Sequence, residues 1–197
     1  MKERILFLTG FQKDYFDPFE KSREIKRYLE QQGYEVHTSC YASGQPMIKS
    51  LEIYVKEVAT EIERIKPTII IAHSMGGLIA RYLIEQMGYQ IEKLIMLETP
   101  NQGIPFWSIK IGIMPNWQSV RYITKGSEFI QKLNRNWQTR RKQITTRYFQ
   151  IGGIYSVIFP AMFRLPGVPA KIFKTITHSR LRSNKRSIGE IIKILKS

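Results

Sequence analysis

The run Ile69-Ile70-Ile71-Ala72 is apolar at every position, and His73-Ser74-Met75-Gly76-Gly77 follows it directly. A strand with no polar alternation has no face to offer to water, so it belongs inside a parallel sheet that is covered on both sides. Helical periodicity begins at Gly76 and continues to Met87, with Gly88 as its stop. Strand and helix are therefore joined by a very short, sharp turn, and Ser74 sits in it between small neighbours.

The rest of the chain repeats this alternation. Arg4 to Thr9 reads as a strand ending at Thr9-Gly10, Phe19 to Gln32 as a helix closed by Gly33, and Tyr34 to Ser39 as a second strand. Met47 to Lys66 carries one apolar stripe and stops at Pro67; Thr68 to Ala72 and Lys93 to Glu98 are strands with continuous apolar character. Buried strands separated by amphipathic helices predict an α/β fold with a central, mostly parallel sheet and helices on both faces. The alternation lapses between Thr99 and Gln143, apart from a short helix around Gly126 to Leu133, and an apolar insertion or lid is expected over about 102–143. Thr145 to Ile151 is a further strand, Ile154 to Phe173 is irregular, and Ser187 to Leu195 is a closing amphipathic helix. One domain spanning 1–197 is expected.

Composition excludes several classes. A single cysteine, Cys40, makes no internal bridge, and three scattered histidines make no metal constellation. No apolar run approaches the ~20 residues of a membrane-spanning helix, and none has the form of a leader peptide, so a soluble, cytoplasmic protein is expected. No cofactor is expected. The net charge of +15 is concentrated: residues 129–197 hold 15 Lys and Arg against Glu190 alone. Such a block either meets an anionic partner or is a solvated face.

A strand, the sequence Ala72-His73-Ser74-Met75-Gly76 and then a helix form a nucleophile elbow with alanine in its first place. The residues two before and two after the serine must be small for the turn to close, and the helix start aims N–H groups at the place where an oxyanion would form. Four further features fall in a telling order: Leu8-Thr9-Gly10-Phe11, Leu97-Glu98-Thr99-Pro100-Asn101-Gln102-Gly103, Gly126-Ser127-Glu128-Phe129 and Thr177-His178-Ser179. With the Ala72 to Gly77 elbow, these resemble the small bacterial lipases and esterases of the α/β-hydrolase superfamily and the deacylases related to them, over almost the whole chain.

The resemblance implies a serine hydrolase cleaving carboxylic esters through an acyl-enzyme on Ser74. A serine hydroxyl needs a base. His37 lies in the second strand, and His73 is expected to turn away from the site and to pack, or hydrogen-bond, into the sheet. His178, before the last helix, occupies the place of the base in the superfamily's order of serine, acid and histidine; the other reading is a surface histidine in a basic loop. The oxyanion hole would use the backbone N–H groups of Met75 and Phe11. The acid departs from the pattern, because no Asp follows Asp17 and the strand ending at Gly152-Gly153 carries none. Glu98 is the candidate, against the alternative of a buried glutamate bonded to the Thr99 or Gly103 backbone, while Glu190 should face solvent. Failing Glu98, a backbone carbonyl or a water would orient His178.

The insertion and the segment after Gly153 are apolar and are interleaved with Lys110, Arg121, Lys125, Arg164, Lys171 and Lys174. That suits a lipid or acyl-ester substrate and a peripheral contact with an anionic membrane, or else ordinary core. A second reading is a catalytically silent α/β-hydrolase that binds anionic membrane or nucleic acid through its basic third; for the enzyme, nucleic acid is not an expected partner.

Overall fold

The computed structural model describes residues 2–10, 18–41, 49–110, 117–153 and 160–197. In chain order, the first half contains β1 (Arg4–Leu8), α1 (Pro18–Gln31), β2 (Glu35–Thr38), α2 (Leu51–Ile65), β3 (Ile69–His73), α3 (Met75–Glu85) and β4 (Lys93–Leu97). The second half contains α4 (Trp107–Lys110), α5 (Gln118–Tyr122), α6 (Glu128–Arg140), β5 (Arg147–Gly153), α7 (Pro160–Phe163), β6 (Ala170–Phe173) and α8 (Lys185–Leu195), with a 3₁₀ helix at His178–Arg182. The six strands form one sheet in the order β2-β1-β3-β4-β5-β6. Every pairing is parallel, as the apolar strands require.

Side chains alternate along each strand into two cores. Ile5, Phe7, Ile69, Ile71, Ile95 and Leu97 meet α1 and α8 through residues such as Ile25, Leu29, Ile188 and Ile191. Leu6, Leu8, Ile70, Ala72, Leu94 and Met96 point the other way, toward α2, α3 and α6. Chain order reverses between β1 and β3, which places a crevice at their C-terminal ends. Strand β6 was read as irregular chain in the sequence. Its four residues are exposed or half-buried and include Lys171, so it is an edge strand with no fully buried face to betray it. The described part of the 102–143 stretch holds α4, α5 and α6, and α6 runs on to Arg140, further than its short apolar signature suggested. Among the described residues no helix is long and apolar enough to cross a membrane.

One polar network is buried in the face carrying α3 and α6. Arg81 is fully buried, and its Nε and Nη2 donate to the Glu85 carboxylate at 2.7 and 3.0 Å. Its Nη1 reaches Asn101 Oδ1 at 3.1 Å and Asn134 Oδ1 at 3.3 Å. Tyr148 donates to Glu85 at 3.3 Å, and the Asn101 amide donates to the Phe163 carbonyl at 2.6 Å. Gln150 of β5 accepts from the Leu165 N–H and donates to the Val168 carbonyl. Burial pushes the Glu85 carboxyl up from its ordinary range, while Arg81 draws it back. The network pins the chain after β4, helix α6 and the crossover to β6 onto the elbow helix.

Removing one partner strands a buried charge, at a cost of about 3–5 kcal/mol. Glu85→Ala should therefore lower the melting temperature by roughly 10 °C, and the double variant Arg81→Met/Glu85→Leu should recover part of that loss, as read by circular dichroism melts.

Candidate functional site

The site is built at the C-terminal ends of adjacent strands. Ser74 follows β3 with φ 54° and ψ −125°, a conformation that non-glycine residues avoid and that a tight strand-to-helix turn imposes. The turn is held by the Ser74 N–H donating to the Leu97 carbonyl at 2.9 Å and by the Gly77 N–H donating to the Ser74 carbonyl at 3.1 Å. Ala72 is completely buried, and at Gly76 a Cβ would collide with the Thr9 carbonyl oxygen, so the glycine is demanded by close backbone approach. Met75 opens α3, where the first N–H groups have no intrahelical acceptor. Phe11 lies outside the described residues. Gly10, just before it, lies against the elbow: a Cβ there would stand 2.7 Å from the Ser74 Cβ.

Glu98 follows β4, the strand beside the one that leads to Ser74. It is fully buried, and its φ of 49° turns the chain sharply out of the sheet after its N–H has paired with the Ile151 carbonyl. Both carboxylate oxygens have donors. Oε1 accepts from the Gly153 N–H at 3.2 Å, and Oε2 lies 2.6 Å from His178 Nδ1. The partners are thus not the Thr99 and Gly103 backbone. Since a carboxylate only accepts, Nδ1 carries a proton, and Nε2 is the basic nitrogen of a neutral His178 ring. Where the resembling lipases would carry an aspartate after the last long strand, this chain has Gly152-Gly153, and the Gly153 amide holds a glutamate supplied from the neighbouring strand. Gly153 is required on another count: a Cβ there would strike the Ile176 carbonyl oxygen, two residues before His178.

His73 corrects the sequence reading, which turned its side chain away from the site. It is buried, but its ring centroid lies 4.5 Å from that of His178. Its Nε2 donates to the His178 carbonyl at 2.9 Å. The physical reason is the path of the 174–178 segment, which crosses over the ends of the central strands and meets the last residue of β3. Sequence periodicity carries no signal for this contact, because the two residues are 105 apart. Of the other candidates, His37 pairs with Glu35 at 2.7 Å in β2, and Glu190 stands half-buried near Lys193 at 4.0 Å on α8. Among the described residues no group of three His, Cys, Asp or Glu side chains forms a metal site.

These contacts make the His178–Glu98 pair sensitive to Gly153. In Gly153→Ala the Ile176 carbonyl must move, and with it His178; the far-downfield proton resonance expected of a carboxylate-bound Nδ1–H should weaken or vanish, while the wild type shows it at neutral pH.

The comparisons with known proteins agree with this architecture. The metagenome-derived lipolytic enzymes LipS and LipT include a structure that superposes with a TM-score of 0.74 at 9% identity, covering 99% of this chain and 94% of that one. The mature Bacillus licheniformis lipase BlEst2 gives 0.71 at 16% identity, with 98% and 92% covered. The thioesterase domain from the curacin biosynthetic pathway gives 0.66 at 14% identity, with 100% and 91% covered. At such identities the likeness shows the α/β-hydrolase fold. No curated protein sequence matches significantly. The family model for palmitoyl protein thioesterase matches residues 22–152, which contain Ser74 and Glu98 but not His178. That match spans well over half of the chain, which therefore belongs to the palmitoyl protein thioesterase family and is a carboxylic ester hydrolase with the α/β-hydrolase fold.

Proposed function

We propose that the protein hydrolyses lipid or acyl esters, oxygen esters or thioesters, through an acyl-enzyme on Ser74, with His178 as general base and Glu98 as the acid that orients it. The observation that carries this reading is the 2.6 Å contact between His178 Nδ1 and the fully buried Glu98 carboxylate. A carboxylate beside His178 supports the enzyme over a catalytically silent protein.

In this mechanism Nε2 of His178 takes the Ser74 proton as Oγ attacks the acyl carbonyl. The tetrahedral oxyanion forms against the Met75 N–H at the start of α3 and the Phe11 N–H of the loop after β1, each donor stabilising the transition state by roughly 3 kcal/mol. The imidazolium is stabilised by Glu98 and gives its proton to the departing alkoxide or thiolate. Water then enters, loses a proton to Nε2 and attacks the acyl carbon, and Nε2 returns that proton to Ser74 Oγ as the acyl–oxygen bond breaks and the acid leaves. Glu98 keeps the imidazole in the Nδ1–H tautomer throughout. The His73 donation to the His178 carbonyl holds the base from behind.

Hydrolysis of p-nitrophenyl butyrate and of palmitoyl-coenzyme A tests the reading. Ser74→Ala and His178→Ala should abolish turnover of both, and Glu98→Gln should lower kcat by roughly 10²–10⁴ with little change in KM. Full activity in Ser74→Ala would sink the proposal. His73→Phe keeps a ring and loses the donor, so kcat should fall by about three- to tenfold, the worth of one hydrogen bond, with KM unchanged.

A further inference from the structure

Part of the rim at the C-terminal ends of the strands carries charge of one sign. In the stretches 98–127, 160–169 and 174–184, which follow the C-terminal ends of β4, β5 and β6, the exposed charges among the described residues are all cationic and include Lys110, Lys125, Arg164, Lys174 and Arg180. The one carboxylate among the described residues of these stretches is Glu98, which is buried and bound to His178 and Gly153. Exposed carboxylates appear just beyond, in the first turns of α2 and α6, as Glu52 and Glu128.

The same rim exposes aromatic surface. Phe106 and Trp107 are 53% and 46% exposed and adjacent in sequence at the start of α4, eight and nine residues after Glu98. Lys110 stands with Nζ 5.5 Å from the Phe106 ring centroid, so a cation and an aromatic ring are presented together. Beneath them the chain is fixed: the Ile104 N–H donates to the Ile123 carbonyl at 2.8 Å, and Ser108 is buried. Two neighbouring aromatics held outward on an anchored turn, one of them beside Lys110 and with further exposed cations in the same stretches, match a surface that is negatively charged outside and apolar just beneath.

We propose that this rim docks the enzyme on an anionic lipid bilayer, with Phe106 and Trp107 inserted at the headgroup level and Lys110, Lys125, Arg164, Lys174 and Arg180 against the lipid phosphates. The consequence for substrate choice rests on the Ser74 reading: the acyl ester would be drawn from the membrane to which the protein is bound. The docking itself does not depend on it.

The test uses the full chain as Ser74→Ala, so that binding is read without turnover, in sedimentation with phosphatidylcholine vesicles and with vesicles containing 30% phosphatidylglycerol. Binding should be confined to the anionic vesicles and should weaken as salt rises. Phe106→Ser/Trp107→Ser should lower the partition coefficient at least tenfold, and Lys110→Glu/Lys125→Glu by well over the roughly fivefold per cation expected of neutralisation. Unchanged melting temperatures serve as the folding control. Equal binding to both vesicles, no binding, or undiminished binding by the aromatic variant overturns the proposal; tighter, salt-sensitive binding to a single-stranded oligonucleotide than to anionic vesicles overturns it in favour of a nucleic-acid face. Vesicle binding in a protein that hydrolyses no ester would leave the docking standing and the catalytic reading fallen, and the reverse pattern would do the opposite.

Discussion

A sheet buried on both faces leaves polar chemistry very few places to live. The middle strands β1, β3 and β4 are apolar almost throughout, so each polar or charged group inside must find its partners within the protein or stand at a strand end. The fold uses both solutions. At the start of β4 the Lys93 ammonium donates to the Leu195 carbonyl at 2.6 Å and so ties down the end of α8. On the α3 side, Arg81 and Glu85 bring four segments of the chain to one buried ion pair. At the other end of the strands, Glu98 and His178 meet on the rim.

The rim works because backbones come unusually close there. Gly10 lies against Ser74, Gly76 against Thr9 and Gly77 against Thr99, so the connections after β1 and β4 both close on the elbow, while Gly153 lies against Ile176 in the connection after β6. Close to these approaches, Glu98 at the end of β4 accepts from the Gly153 N–H at the end of β5 and lies beside His178. Strain at Ser74 and Glu98, both with positive φ, is of the order of 1–3 kcal/mol each. The surrounding ladder bonds over-determine both residues, which fixes the site before any substrate arrives.

Much of this was legible in the chain itself. The apolar runs at 69–72 and 93–97 and the stripe from Leu51 to Ile65 specify layers, because burial on two faces or one writes itself into local periodicity. Ser74 is legible for a related reason: a reversal from strand to helix in so few residues needs small neighbours, and Ala72 and Gly76 supply them. Strand β6 was not legible, since an exposed edge of four residues leaves no hydrophobic signature. Nor was the buried role of Arg81, which in sequence is a charged residue within a helix like many others.

The sequence by itself determined the parallel α/β layering, the elbow at Ser74 and the short list of groups able to serve it, because these follow from local patterns of burial and backbone sterics. Only the tertiary structure decided which of those groups meet. His178 lies 80 residues from Glu98 and 105 from His73, and their contacts depend on how the 174–178 segment crosses the strand ends, a path set by close packing at Gly153 and by pairing of an edge strand that periodicity does not reveal. Contacts between distant segments are properties of the folded surface, and no local pattern encodes them.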